Sequence, residues 1–406
     1  MERQYSKLSI ELTKQISKED KKNNGIYFTP FDIIEKAMNE LDKLNLDIKT
    51  ILEPSCGTCE FVHYIDNKYT NINITGIEYN KEVYNKIKDI RLKNNNLILR
   101  NEDYLRYDTE LNNNYDLIIG NPPYYVITNN KNNVYKEFYE GRANIFILFI
   151  IHSIKRLNKN GVLLFILPKS FMNCLYYNRL RHHIYRNYKI VNIIDCSNSS
   201  YIETEQDTII FIIKQEDNNN NQENNNYTII NEDKIIFNTI DNIRKLKELY
   251  NNSNSLNSLN FEVKVGTIVW NQHKAILTND NTKTRLIYSS DIKDTNLINV
   301  QYKNNEKKNY IDKEGLDDLL LVVNRGYGKG EYKFNYCLID IKEKYLIENH
   351  LICIKCKSLI TKEELIKLYE KIILSFTNEK TKEFIKIYFG NNAINTIELQ
   401  YLLPIY

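Results

Sequence analysis

Tyr115-Asp116-Leu117-Ile118-Ile119-Gly120-Asn121-Pro122-Pro123-Tyr124 joins an apolar, β-branched run to a glycine and two prolines. A short run of this kind closed by glycine reads as a buried parallel strand entering a tight loop. Two consecutive prolines fix two φ angles and remove two N–H donors. The loop is left with carbonyl oxygens, the Asn121 amide and the Tyr124 ring. That set suits a planar amine: acceptors for both of its N–H bonds, and an aromatic face for stacking. Few tasks need this grip, and methylation of the exocyclic amine of a nucleobase is the leading one.

Working outward, apolar runs alternate with amphipathic stretches up to about residue 215. Strands are expected at Thr50–Leu52, Asn73–Ile77, Leu97–Arg100, Tyr115–Ile119, Gly161–Leu167, Ile190–Asp195 and Thr208–Ile213. Helices are expected at Phe31–Leu44, Glu82–Lys88, Ile145–Leu157 and Tyr176–Tyr188. Such alternation implies an α/β fold with a doubly wound, mostly parallel, Rossmann-like sheet. An Asn-rich tract over 217–226 cannot bury a core of its own and reads as a linker. The expected division is a catalytic domain at 1–215, a linker at 216–230 and a mixed α+β domain at 231–406.

The prolines carry more weight because there are so few. The chain has 6 prolines and 12 glycines in 406 residues, against 31 tyrosines and abundant Asn, Lys and Ile. That bias has the look of an AT-rich genome, so the tyrosines and poly-Asn stretches are mostly drift. Pro30, Pro54, Pro122 and Pro123 nevertheless all fall inside candidate motifs. Net charge is only +3, so affinity for nucleic acid has to come from a local basic surface. The polar N-terminus carries no secretion signal, and the longest apolar stretch, around Ile145–Ile154, is far short of the roughly 20 residues of a membrane span. Seven scattered cysteines argue against a disulfide framework and for a reducing, cytoplasmic setting.

Other strand ends carry polar residues suited to a ligand. In open α/β sheets ligands bind at the carboxyl ends of strands, and glycine there lets backbone come close. Ile51-Leu52-Glu53-Pro54-Ser55-Cys56-Gly57 is a strand and tight turn leading to a helix. Ile74-Thr75-Gly76-Ile77-Glu78-Tyr79 ends in an acid that can grip ribose hydroxyls. Leu97 to Asp103-Tyr104 ends in a carboxylate able to accept from an adenine amine, beside a ring able to pack on the purine. Upstream, Gly25-Ile26-Tyr27-Phe28-Thr29-Pro30 precedes a helix, with Thr29 placed to cap it or touch a ligand.

In this order, the residues resemble the motif series of the gamma-class amino-methyltransferases, the N6-adenine DNA methylases of restriction–modification systems. The resemblance covers the first half in its motifs and agrees with the overall length. It implies S-adenosylmethionine as cofactor. Thr29 would contact the methionine carboxylate, with Glu53, Pro54 and Gly57 shaping the loop around the methionine part. Glu78 would bind the ribose, with Tyr79 beside the adenine; Asp103 would accept from the adenine amine, with Tyr104 against the ring. Asn121 and the Pro122 carbonyl would accept from the target amine, Pro123 would stiffen the loop, and Tyr124 would stack on the target base. Tyr201 fits the place of a second stacking aromatic. One departure is Cys59, where the family usually has a second glycine.

The second half, with Val269-Trp270-Asn271-Gln272 and Asn324-Arg325-Gly326-Tyr327-Gly328, looks similar to members from large DNA viruses of algae. It is expected to recognise a short specific site in double-stranded DNA, through Trp270, Asn271, Gln272, Lys274, Arg285, Arg325, Tyr327 and Lys329. The enzyme is expected to act as a monomer, without metal or membrane, with a cognate restriction endonuclease acting separately. The stretch Arg179, Arg181, His182, His183, Arg186 reads as a solvated basic helix face. Cys56/Cys59 and Cys353/Cys356 have zinc-like spacing, but the first pair lies in the cofactor loop and the second in a strand-like run. The alternatives are a glutamine-N5 or RNA adenine methyltransferase, and a non-catalytic DNA-binding relative.

Overall fold

The computed structural model describes residues 4–106, 114–127, 133–142, 144–199, 201–202, 206–216, 222–302, 306–326, 332–388 and 393–406. The chain divides into two compact units, 1–244 and 245–406.

The first unit opens with helices α1 (Lys7–Gln15), α2 (Lys18–Asn24) and α3 (Phe31–Asp42). Strands and helices then alternate: β1 (Thr50–Glu53), α4 (Glu60–Lys68), β2 (Asn73–Ile77), α5 (Lys81–Ile87), β3 (Asn96–Arg100) and β4 (Tyr115–Gly120). They continue as α6 (Ile145–Ile154), β5 (Leu157–Pro168), α7 (Asn178–Asn187), β6 (Lys189–Asp195) and β7 (Thr208–Lys214). The seven strands form one sheet in the order β3-β2-β1-β4-β5-β7-β6. All neighbours are parallel except β7, which runs antiparallel to both β5 and β6. This is the Rossmann-like sheet the alternation predicts.

Strand order reverses between β1 and β4, which pair directly (Ile51 opposite Leu117, Leu52 opposite Ile118). Such a reversal splays the flanking connections to opposite faces and opens a crevice at the strand ends. The end of β1 and the loop after it carry Glu53, Pro54 and Gly57, and the loop after β4 carries Asn121 to Tyr124.

Both faces of the sheet are covered, so its central strands are apolar on both sides. Thr208 to Ile213 are all buried. On one face α3 and α4 bury Ile33, Ile34, Met38, Phe61 and Val62. On the other, α6 is apolar almost all round because it is buried almost all round, with Ile147, Ile150 and Ile151 at 0% exposure. That burial, and not a bilayer, accounts for the longest apolar run. Among the described residues no helix is long and apolar enough to cross a membrane.

The basic stretch on α7 is not uniformly solvated. Arg181 is 1% exposed. Its guanidinium donates to the carbonyls of Ile235 (2.6 Å), Phe171 (2.9 Å) and Cys174 (2.8 Å). It ties α7 to the hairpin of β8 (Thr228–Asn231) and β9 (Lys234–Phe237). The described part of the expected linker is likewise built into this unit. Asn224 is 1% exposed, accepts from the Ile190 N–H and donates to the carbonyls of Tyr185 and Tyr188.

The second unit is mixed α+β. One antiparallel sheet runs Phe261–Val265, Leu351–Cys356, Leu320–Asn324, Tyr336–Ile339. Helix Lys362–Thr377, started by a reciprocal Thr361/Glu364 cap, packs Tyr369 on Phe261 at 5.5 Å between ring centres. A second sheet of short strands contains Thr284–Ile287 and Tyr345–Ile347. Cys353 and Cys356 lie on the strand that the sequence pattern predicts.

Candidate active site

The loop after β1 is shaped by left-handed backbone. Gly57 has φ +51° and Cys59 has φ +64°. The position where the family has glycine therefore keeps the glycine-type conformation while carrying a side chain, at a cost of about 1 kcal/mol. The Cys59 N–H closes the turn on the Cys56 carbonyl (2.7 Å), and the Cys56 N–H is held by the Ile77 carbonyl (2.9 Å). The unusual cysteine changes the residue and not the turn.

That turn aims the Gly57 N–H at Glu78, on the next strand end. Glu78 accepts from the Gly57 N–H (2.9 Å) and the Asn80 N–H (2.7 Å). Burial still dominates, and the carboxyl is pushed up to about 7 against those two bonds. Glu53 is 3% exposed, and its Oε2 has no hydrogen-bond partner in the structure. Its carboxyl is raised well above the ordinary range by burial, with Cys59, Glu60 and Glu78 nearby. Glu78 is an under-compensated acid in the lining of the crevice, which fits a ligand that brings donors or positive charge.

A cavity of about 320 Å³ opens at this point, lined by Gly25 to Phe28, Pro54, Ser55, Gly57, Glu78, Tyr79, Asp103, Tyr104, Asn121, Pro123, Tyr125, Leu148 and Phe149 among others. Its lining is polar toward Ser55, Gly57 and Glu78 and aromatic toward Tyr104 and Phe149. Tyr104 is 2% exposed, shares a hydrogen bond with Ser153 (2.9 Å) and packs 5.1 Å from the Phe149 ring. Asp103 accepts from the Leu105 N–H (3.0 Å) and pairs with Arg106 (3.4 Å). Tyr79 is largely exposed at the rim. A cavity lined by the acids Glu78 and Asp103 and by the aromatic rings of Tyr104 and Phe149 suits a nucleoside carrying a charged tail, so the residues fit S-adenosylmethionine.

Asn121 borders this cavity at the end of β4. Its Nδ2 donates to the Tyr27 carbonyl (3.3 Å) and to Thr29 Oγ1 (3.1 Å). Its Oδ1 accepts from the Tyr124 hydroxyl (2.5 Å), which also reaches the Ile166 carbonyl (2.7 Å). Pro122 is buried. Gly25, with φ +64°, passes directly over the loop: a Cβ there would sit 2.7 Å from the Tyr124 nitrogen and 2.8 Å from Pro123 Cβ. Only glycine permits that approach.

A second cavity, of about 130 Å³, is lined by Tyr27, Tyr124, Tyr201, Gln206 and Thr208. The fold thus brings Tyr124 and Tyr201 to one hollow. Tyr27 as a further wall, Gln206 at its edge and Tyr125 with α6 behind the first cavity were not singled out from sequence. Tyr27 lies inside the quoted Gly25–Pro30 segment, so the signal was present; Gln206 and α6 carry no local mark.

The DNA-contact candidates all belong to the second unit. Asn271 and Gln272 are exposed on a short 3₁₀ turn, Trp270–Gln272, whose half-buried Trp270 packs on the core of Ile268, Leu286 and Tyr288. Lys274 lies over the Trp270 ring and pairs with Glu306 (2.5 Å). Arg285 is mostly covered, bonded to Glu343 (3.2 Å) and the Ile298 carbonyl (3.0 Å), so it braces its sheet. Arg325 is half-buried, while Tyr327 and Lys329 lie outside the described residues.

Residues 5–202 match a known protein family, described as Eco57I restriction-modification methylase. Over 392 residues the chain is 27% identical to the type II methyltransferase M.CvrRI of Paramecium bursaria Chlorella virus XZ-6E, covering 95% of each chain. It is 25% identical over 401 residues to the modification methylase CviBIII of Paramecium bursaria Chlorella virus NC1A, covering 97% of this chain and 96% of that one. Among solved structures, the cryo-EM structure of a DrdV–DNA complex aligns with a TM-score of 0.52 at 13% identity, over 98% of this chain and 57% of that one. That likeness is one of fold.

Proposed function

We propose that this chain, a member of the Eco57I restriction-modification methylase family through residues 5–202, methylates the N6 amine of an adenine flipped out of a short site in double-stranded DNA. The observation that carries the proposal is the place of Asn121. It borders a cavity suited to a nucleoside cofactor, and its amide oxygen is bonded to the tyrosine that walls a second, aromatic hollow.

S-adenosylmethionine is the cofactor of this family, and when bound it supplies an electrophilic methyl group. Glu78 would hold its ribose hydroxyls and Asp103 its adenine amine, with Tyr104 and Tyr79 flanking the ring; Glu53, Pro54 and Gly57 would enclose the methionine part. An adenine amine is a poor nucleophile because its lone pair is delocalised. Asn121 Oδ1 and the Pro122 carbonyl, accepting its two N–H bonds, favour a pyramidal nitrogen with a localised pair, and alignment supplies the rest. Extracting the base costs a few kcal/mol. Stacking on Tyr124 and Tyr201 offsets part of this, at about 1–3 kcal/mol per ring. The second unit would read the site, with Asn271, Gln272 and Lys274 the best exposed of its candidates. The enzyme would work as a monomer, with any partner endonuclease separate.

The test is transfer of labelled methyl from S-adenosylmethionine to unmethylated genomic DNA, followed by single-molecule sequencing. N6-methyladenine confined to one short motif is the expected product. Label appearing instead in RNA or in a protein glutamine would overturn the substrate, and no transfer at all would leave a DNA-binding relative.

Cofactor affinity should depend on pH. A carboxyl lifted to about 7 is ionised only above that value, and only the ionised form offers both oxygens to the ribose hydroxyls. Affinity is therefore expected to hold at pH 8 and to weaken below about 7, toward roughly tenfold per further pH unit. Calorimetric dissociation constants at pH 6, 7 and 8 check this; a flat profile removes Glu78 from the ribose site.

A further inference from the structure

Thr29 is expected to contact the methionine carboxylate, and in this structure its hydroxyl has a different neighbour. It is 6% exposed. Its neighbours Tyr27 and Phe28 line the larger cavity but Thr29 is not among the lining residues. Its hydroxyl is instead 3.1 Å from Asn121 Nδ2.

A carboxamide has a donor end and an acceptor end of nearly the same shape, and only the acceptor end can grip an amine N–H. The surroundings of Asn121 choose between them. The Tyr27 carbonyl, 3.3 Å away, can only accept and so requires the NH₂ end. On the other side the Tyr124 hydroxyl lies 2.5 Å from Oδ1, but its single proton is shared with the Ile166 carbonyl, so the Tyr27 carbonyl is the neighbour that selects the amide end. The Tyr27 bond is long, so Thr29 provides the closer anchor for Nδ2.

We propose that Thr29 is a positioning residue for methyl transfer, its hydroxyl fixing the Asn121 amide with Oδ1 turned to the target amine. The inference rests on the reading of Asn121 given above. It moves Thr29 from cofactor binding to orientation of the group that grips the substrate. Loss of the hydroxyl then slows the chemical step and leaves cofactor affinity alone.

Three proteins decide it: wild type, Thr29→Val and Thr29→Ser, with Thr29→Ala replacing the valine variant if that one melts early. Cofactor dissociation constants are measured by calorimetry without DNA. Single-turnover transfer is measured with cofactor and DNA saturating. Thr29→Val is expected to lose about tenfold or more in rate, in line with the cost of a misplaced catalytic group, with its dissociation constant within about twofold of wild type. Thr29→Ser, which keeps the hydroxyl, is expected to recover most of the rate. A dissociation constant that weakens in step with the rate would return Thr29 to the cofactor site and overturn the inference, as would an unimpaired valine variant. Wild-type protein that makes no N6-methyladenine would instead overturn the reading of Asn121, and the inference with it.

Discussion

Asn121→Ala is expected to lower single-turnover methyl transfer by at least 10²–10³-fold, the scale seen when one preorganised hydrogen-bonding group is removed from a reacting centre. Truncation removes Oδ1, the acceptor proposed for the target amine, together with the contacts to Tyr27, Thr29 and Tyr124. The fold should survive. Tyr124 keeps its bond to the Ile166 carbonyl, and the two prolines still stiffen the loop. Cofactor affinity should change far less than rate, because the acids and aromatic walls of the larger cavity remain. A melting curve, a calorimetric dissociation constant and a single-turnover rate on one preparation separate these terms. A rate within tenfold of wild type would remove Asn121 from the chemistry.

The second large effect is on stability. Arg181→Met is expected to destabilise the first unit by about 3–5 kcal/mol, as removal of one partner from a buried charged network does. The methionine fills much of the space, but the carbonyls of Ile235 and Phe171 lose the guanidinium donor, and that of Cys174 keeps only the Tyr177 N–H. Each buried acceptor left without a partner costs about 1–3 kcal/mol. For a unit of this size the fall in melting temperature is of the order of 10 °C. Arg181→Lys should recover only part of it, since one ammonium cannot reproduce the guanidinium fork. Calorimetric melting checks both variants; a methionine protein melting with wild type would show the network contributes little.

Much of the candidate site was legible because its residues are local to strand ends. Glu53, Glu78 and Asn121 lie directly at the end of an apolar run and Asp103 a few residues beyond one, and the sheet places those ends along one edge. The pattern survived a compositional bias that otherwise hides information. Prolines are scarce, so the adjacent Pro122 and Pro123 stood out; asparagines are abundant, so buried Asn224 did not. Cys59 looked like a defect in the cofactor loop. Its φ of +64° shows that the turn persists, because the hydrogen bonds around it determine the backbone.

Other features depend on residues distant in the chain. Arg181 sits in a basic stretch that reads as solvated, and its partner Ile235 in the β8–β9 hairpin lies 54 residues later. Arg285 looked available for DNA and is engaged by Glu343. Thr29 matched a cofactor motif, and 92 residues separate it from the amide it holds.

By itself, then, the sequence determined the sheet, the order of its strands' functional ends and the class of chemistry. Those follow from apolar periodicity and from residue types adjacent along the chain. Tertiary structure alone decided which neighbours the two ends of the Asn121 amide meet, which arginine is buried, and that Tyr27 joins Tyr124 and Tyr201. Hydrogen-bond direction and burial are properties of neighbours in space, and no local pattern records them.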